Sequence, residues 1–179
     1  MRAEPMQNVE CKCTMIDLEL ARLASRKLGA LRIGQVHQHD TYFKLADGRL
    51  KKRESPGEKP TYVHYHRVNR SIPKLSHFQI FTETQAQQRF GVRTLVPWVT
   101  VDKKREIWMY RNAHIHFDEV LDLGNFFEAE ALVTPTNHVG LAHRLIADIR
   151  EKLAPALGEL ISSSYADMAA LEMESQKAG

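Results

Sequence analysis

Several short stretches of this chain alternate with a period of two, and the polar face of each is densely charged. Asn8, Glu10 and Lys12 share one face. So do Arg49, Lys51 and Arg53, then Lys103 and Arg105, then His114, His116 and Asp118, then Glu128 and Glu130. The opposite faces carry Val9 and Cys11, then Leu50, then Ala113, Ile115 and Phe117, then Phe127, Ala129 and Ala131. Period two is the side-chain spacing of a β-strand. Two architectures fit. In one, an ordinary sheet keeps its charged face in water and helices cover the other. In the other, the sheet closes into a barrel with the charged faces inward and helices outside. Like charges facing one another across strands are destabilising unless something neutralises them. Basic side chains converging on one lumen call for a polyanion, and carboxylates at matched depth call for a divalent cation. A triphosphate with Mg²⁺ meets both demands, which gives the inward arrangement its chemical logic.

The rest of the sequence fits a single domain over residues 1–179, since a chain of this length buries one core without staples. A strand is expected over residues 8–15. Asp17 then caps a helix whose apolar positions are Leu20, Leu23, Ala24 and Leu28, and Gly29 ends it. Residues 39–44 and 49–54 flank Ala46-Asp47-Gly48 as a hairpin. Further strands are expected over 61–68, 77–83, 95–101, 104–110, 113–119 and 125–133, with Asp102-Lys103 as the turn between two of them. Residues 69–76 read as a loop and 84–90 as a short helix. Leu141, Leu145, Ile149 and Leu153 mark a long helix capped near Thr136 or Asn137, and 164–174 a last one. Short connections make most strand pairs antiparallel. The expected class is α+β, an antiparallel β-barrel or tunnel of about eight strands with helices packed outside.

Several functions are excluded at this stage. Lys and Arg number 25 against 22 Asp and Glu, a net charge of +3. A nucleic-acid binder would be more lopsided and would interleave aromatics along an exposed basic stripe. No apolar run approaches the roughly 20 residues that span a membrane, and residues 1–7 lack the apolar core of a signal peptide. Cys11 and Cys13 are too few for a disulfide framework and suit a reducing cytoplasm. His37/His39, His64/His66 and His114/His116 are spaced like strand-borne metal ligands. Packing or surface roles suit most of them better; His116, beside Asp118 on a charged face, is the exception.

In order and spacing, the motifs resemble the CYTH superfamily of triphosphate tunnel metalloenzymes over roughly residues 8–165. Asn8-Val9-Glu10-Cys11-Lys12 resembles its opening acidic-x-acidic-x-lysine strand. Asp40-Thr41-Tyr42-Phe43 is similar to the segment of its class IV adenylate cyclase branch. Arg49 to Glu54, Tyr65-His66-Arg67 and Lys103-Lys104-Arg105 resemble its basic strands. The run from His114 to Val120, then Leu123-Gly124 and Phe127-Glu128-Ala129-Glu130, resembles its late strands.

The resemblance implies that Glu10, Glu128 and Glu130 hold Mg²⁺ or Mn²⁺. It implies that Arg49, Lys51, Arg53, Arg67, Lys74 and His116 bind substrate, Lys74 from its loop. Lys12, Lys103, Arg105 and Asp118 would then carry catalysis. The implied reaction is ATP to cyclic AMP and pyrophosphate. The alternatives are a triphosphatase, acting on thiamine, inorganic or nucleoside triphosphate, and a non-catalytic polyphosphate or nucleotide binder. The branch also suggests a homodimer. Two departures bear on the site. Asn8 replaces a glutamate and brings no charge to the metal. His114 replaces a common arginine. Removing Lys51, Arg53 or Arg105 is expected to weaken triphosphate binding and leave the fold intact, because like charges in a lumen repel.

Overall fold

The computed structural model describes residues 4–66 and 74–178. Among them, nine strands form one antiparallel sheet. They are β1 (Met6–Met15), β2 (Leu31–Lys44), β3 (Arg49–Glu54), β4 (Thr61–His66), β5 (Lys74–Thr82), β6 (Val99–Tyr110), β7 (Ala113–Val120), β8 (Gly124–Leu132) and β9 (Leu157–Leu160). The order is β5-β4-β3-β2-β6-β7-β8-β1-β9, and an additional β5–β1 pairing closes the first eight into a barrel. Closure removes the edges that an open sheet must protect.

The inward arrangement is the one found. Val9, Cys11 and Cys13 of β1 face outward and are 0–2% exposed. With Ile115, Phe127, Ala129 and Ala131 they pack under two helices, α1 (Leu18–Leu28) and α3 (Val139–Leu153). From α3 come Ala142, Leu145, Ile146, Ile149 and Leu153. Burying a large aliphatic or aromatic side chain of this kind contributes about 1.5–3 kcal/mol. A second outer cluster joins Phe43, Leu50, Tyr62 and Phe81 to α2 (Glu83–Phe90). A third lies inside one end of the barrel. Tyr42, Val99, Val101, Val120 and Phe126 meet Tyr165 and Ala166, which begin α4 (Tyr165–Ala178). The start of α4 therefore packs against that end.

The first helix forms as its sequence dictates. Asp17 accepts from the Leu20 N–H at 2.9 Å. Gly29 takes φ = 87°, the left-handed conformation that closes a helix readily only with glycine.

Four local expectations are corrected. Residues 95–101 and 104–110 are not two strands around a turn. They belong largely to one strand, β6, in which Asp102 and Lys103 are mid-strand and pair with β2. The strand expected at 39–44 begins at Leu31. Lys74, Ser76 and their neighbour open β5 rather than sitting in a loop. The long helix starts at Val139 with His138 as its cap residue and no side-chain cap. The short β9 was not anticipated. It binds the second half of β1's edge, where a Cβ at Gly158 would collide with the Thr14 hydroxyl.

Candidate active site

The charged faces line an interior cavity of about 260 Å³. On its walls are Glu10 and Lys12 from β1, Lys51 and Arg53 from β3, Lys103 and Arg105 from β6, and Glu128 and Glu130 from β8. Strand register aligns them. Glu10 stands opposite Glu130 and Lys12 opposite Glu128. Tyr42, Tyr65, Val63, Phe78 and Ile80 give the same cavity an apolar side.

Buried carboxylates hold the cations in place. Asp40 is fully buried and receives a two-pronged fork from Arg53, at 2.8 and 2.7 Å. Lys103 Nζ donates to it at 2.9 Å, and Lys51 Nζ lies 3.8 Å away. Burial would raise the Asp40 pKa, but Lys103, Lys51 and Arg53 outweigh it and hold the carboxyl well below the usual range. Asp118, also fully buried, plays the same part for Arg105. It accepts from Nε at 2.7 Å and Nη2 at 2.6 Å, and from the Tyr165 hydroxyl at 2.7 Å. Arg105 Nη2 also reaches Glu128 at 2.7 Å. Such bidentate pairs fix a guanidinium in orientation as well as charge. Lys12 Nζ sits 3.5 Å from the centre of the Tyr165 ring, a cation–π contact.

The crowding of cations shows in their proton affinities. Burial, then the Arg53 charge, pushes Lys51 down to about 7, against the pull of Asp40. Burial pushes Lys103 down to about 8. Burial, then Arg105, holds His116 well below the usual imidazole range, so it is neutral at pH 7. On the acidic wall the two glutamates diverge. Glu128 is held well below its usual range; burial opposes this, and Lys12 and Arg105 overcome it. Glu130 is raised by burial, then by the Glu128 charge.

Among the described residues, no three His, Cys, Asp or Glu side chains form a ready-made metal cage. The donors nonetheless suit a hard divalent cation. Glu10 and Glu130 are like charges directly opposed on the cavity-facing side of the sheet. Beside them Asn8 Oδ1 is a buried acceptor with no hydrogen-bond partner among the described residues. Oxygen donors of this kind suit Mg²⁺ or Mn²⁺.

Not every expected residue reaches the cavity. Arg67 lies outside the described residues. Arg49 turns toward α4, where it bonds Ser164 Oγ at 3.0 Å and pairs with Asp167 at 2.7 Å. Lys74 donates to the Ser162 carbonyl at 3.1 Å, opposite Glu10 in register. Asp118 acts from behind Arg105. His116 is buried, its Nδ1 3.7 Å from Glu130 Oε1. His114 is exposed on its strand. Of the other histidines, His39 bonds Asp102 at 2.9 Å and His64 the Asp47 carbonyl at 2.9 Å.

Two residues were missed. Asp40 had a visible signal, because the 39–44/49–54 hairpin places it directly opposite Arg53. Tyr165 had none, since nothing local marks a helix start that packs into a barrel.

Residues 6–165 match the family model of the CYTH domain. The chain belongs to the CYTH domain family. No curated protein sequence matches it. Solved structures share the CYTH fold at low identity. The PH1012 protein of Pyrococcus horikoshii is 20% identical, with TM-score 0.70 over 89% of this chain and 98% of that one. A proposed adenylate cyclase of Vibrio parahaemolyticus is 14% identical, with TM-score 0.68 over 90% and 96%. HpAC1 of Hippeastrum, a proposed adenylyl cyclase with a dominant triphosphatase activity, is 15% identical. Its TM-score is 0.58 over 93% and 96%.

Proposed function

We propose that this CYTH domain, spanning the chain, is a metal-dependent enzyme acting on an organic triphosphate, with ATP cyclisation to cyclic AMP and pyrophosphate as the leading reaction. One observation carries the reading. Lys51, Arg53, Lys103 and Arg105 converge on a single interior cavity whose opposite wall holds Glu10, Glu128 and Glu130. Four cations are held there by buried partners rather than by solvent, at a cost that binding a polyanion would offset. The apolar side formed by Val63, Phe78 and Ile80 suits an organic head group.

Glu10, Glu130 and Asn8, with Glu128 beside them, would hold Mg²⁺ or Mn²⁺. When bound, the metal would neutralise non-bridging phosphate oxygens. Arg53 and Arg105, locked by Asp40 and Asp118, present fixed N–H donors to the phosphate tail and stabilise charge on the departing pyrophosphate. In cyclisation the ribose 3′-oxygen bonds to the α-phosphorus and the bond to the β-phosphate oxygen breaks. The hydroxyl proton leaves to solvent, while Lys51, at about 7 before the polyanion raises it, is held protonated on the phosphate oxygens. Lys12 sits beside the acidic wall over Tyr165.

Hydrolysis is the second reading, favoured by the likeness to HpAC1 with its dominant triphosphatase activity. The two separate on product. Purified protein is incubated with Mn²⁺ and ATP, or with thiamine triphosphate, and cyclic AMP and phosphate are resolved by chromatography. Cyclic AMP with stoichiometric pyrophosphate supports the cyclase. Phosphate without cyclic AMP sinks it in favour of the triphosphatase. Among the described residues no helix is long and apolar enough to cross a membrane. The two free, buried thiols suit a reducing compartment, and we place the enzyme in the cytoplasm.

A further inference from the structure

We infer that Tyr165, the first residue of α4, is a positioning residue of the phosphate site: its ring carries Lys12 and its hydroxyl steadies Asp118 behind Arg105. One side chain that belongs to no barrel strand thus sets two of the interior cations. The inference deepens the proposed function and rests on it.

Tyr165 is buried and lines the cavity. Its hydroxyl donates to Asp118 Oδ2 at 2.7 Å, the same oxygen that accepts from Arg105 Nη2 at 2.6 Å. Burial, then the Asp118 charge, holds that hydroxyl well above its usual range, so it keeps its proton and remains a donor. Lys12, also buried, places Nζ 3.5 Å from the ring centre, and Lys103 Nζ lies 5.3 Å from it. Both fall within the reach of a cation–π contact, about 6 Å. Phe126 packs edge-to-face against the ring, with centroids 5.2 Å apart, and so fixes its tilt.

The ring differs in kind from the other supports. Arg53, Lys103 and Arg105 are held by carboxylates of the barrel strands, whereas a neutral ring gives Lys12 direction without adding charge. Glu128 stands opposite Lys12 in register and bonds Arg105 at 2.7 Å. The two cations that Tyr165 supports therefore converge on one part of the cavity, where a phosphate oxygen would meet both. The turn that carries Tyr165 is itself fixed. The Ser164 N–H and hydroxyl donate to Asp167 Oδ2 at 3.1 and 2.8 Å, and Arg49 holds Asp167 Oδ1 at 2.7 Å. A ring placed this firmly can act as a support rather than as a loose cover.

The test follows tripolyphosphate binding to the full chain by calorimetry in EDTA, which keeps metal out of the readout. Tyr165→Phe is compared with wild type, and then with the same variant carrying one, two or three fluorines on the ring. Fluorine draws charge from the ring face and barely changes its shape, so the series varies the hold on Lys12 while packing stays constant. Thermal melts confirm that each variant folds. Loss of the hydroxyl is expected to weaken binding about threefold. The fluorine series should weaken it further in steps, by about tenfold in all. Most of that tenfold should vanish in a Lys12→Met background, where the cation nearest the ring is gone; a ring that only closed the barrel end would give the same result in both backgrounds. Wild-type affinity in Tyr165→Phe, or a fluorine series that is flat, that tightens binding or that persists in full with Lys12→Met, would overturn the inference while leaving wild-type binding intact. A wild type that binds no tripolyphosphate would overturn the underlying function as well.

Discussion

Replacing Asp40 with asparagine tests whether the interior cations depend on buried carboxylates. The substitution keeps the shape and removes the charge that faces Arg53, Lys103 and Lys51 at 2.7, 2.9 and 3.8 Å. It also turns an N–H toward donors that already point at the site. Removing one partner of a buried ion pair costs about 3–5 kcal/mol. Lys51 and Lys103 can shed their protons, since their pKa values are already about 7 and 8. Arg53 cannot. The lower figure therefore applies, about 3 kcal/mol, or roughly 6–12 °C in Tm for a chain of this size. The deficit should depend on pH. Lysines whose folded pKa is depressed bind fewer protons folded than unfolded, so their contribution to stability falls as pH drops from the unfolded value toward the folded one. Losing Asp40 lowers the folded pKa further. The gap between wild type and Asp40→Asn should thus widen from pH 9 to pH 6, and tripolyphosphate should narrow it. Thermal melts across that range measure both effects. A variant that melts within about 2 °C of wild type at every pH would refute the reasoning, because that is under about 1 kcal/mol.

Three further outcomes are expected. Lys51→Ala should weaken triphosphate binding about tenfold or more while leaving Tm unchanged or raised, because among the described residues its one ion pair is the 3.8 Å approach to Asp40. Arg105→Ala should instead lower Tm by several degrees, since it strands both Asp118 and Glu128; calorimetry and melts on the two variants distinguish these patterns. Triphosphate binding should take up protons near pH 8, where Lys51 at about 7 and Lys103 at about 8 are partly neutral and a polyanion raises both; calorimetry in buffers of different ionisation enthalpy counts them. Arg49→Ala should free the start of α4 by breaking its links to Ser164 and Asp167, seen as faster hydrogen exchange over residues 164–170 with the barrel strands unchanged.

The Arg105 prediction departs from the sequence-based expectation that any one lumen cation could be lost without harm to the fold. Composition and alternation show that cations share a face. They do not show which of them has a buried carboxylate behind it. Asp118 was legible as a site residue, but its job of fixing Arg105 depends on the β6–β7 register. The β1–α1 unit and the inward charged faces were legible because strand period, N-cap and glycine C-cap are local signals. β6 was misread for the opposite reason. Asp102-Lys103 looks like a turn, yet Asp102 pairs outward with His39 while Lys103 points into the lumen. The first half of β2 was missed because Gly34 and a register shift between Arg32 and Gly34 break its alternation. The role of Tyr165 depends on α4 packing against one barrel end, a tertiary fact with no period of its own.

The central claim is that the barrel interior, not the outer surface, receives a triphosphate. A crystal structure with Mn²⁺ and a non-hydrolysable ATP analogue tests it most directly. The account predicts phosphate oxygens within hydrogen-bonding distance of Lys51, Arg53, Lys103 and Arg105, with the metal against Glu130 and Asn8. An analogue bound outside the barrel, with those four side chains still turned to Asp40, Asp118 and Glu128, would contradict it.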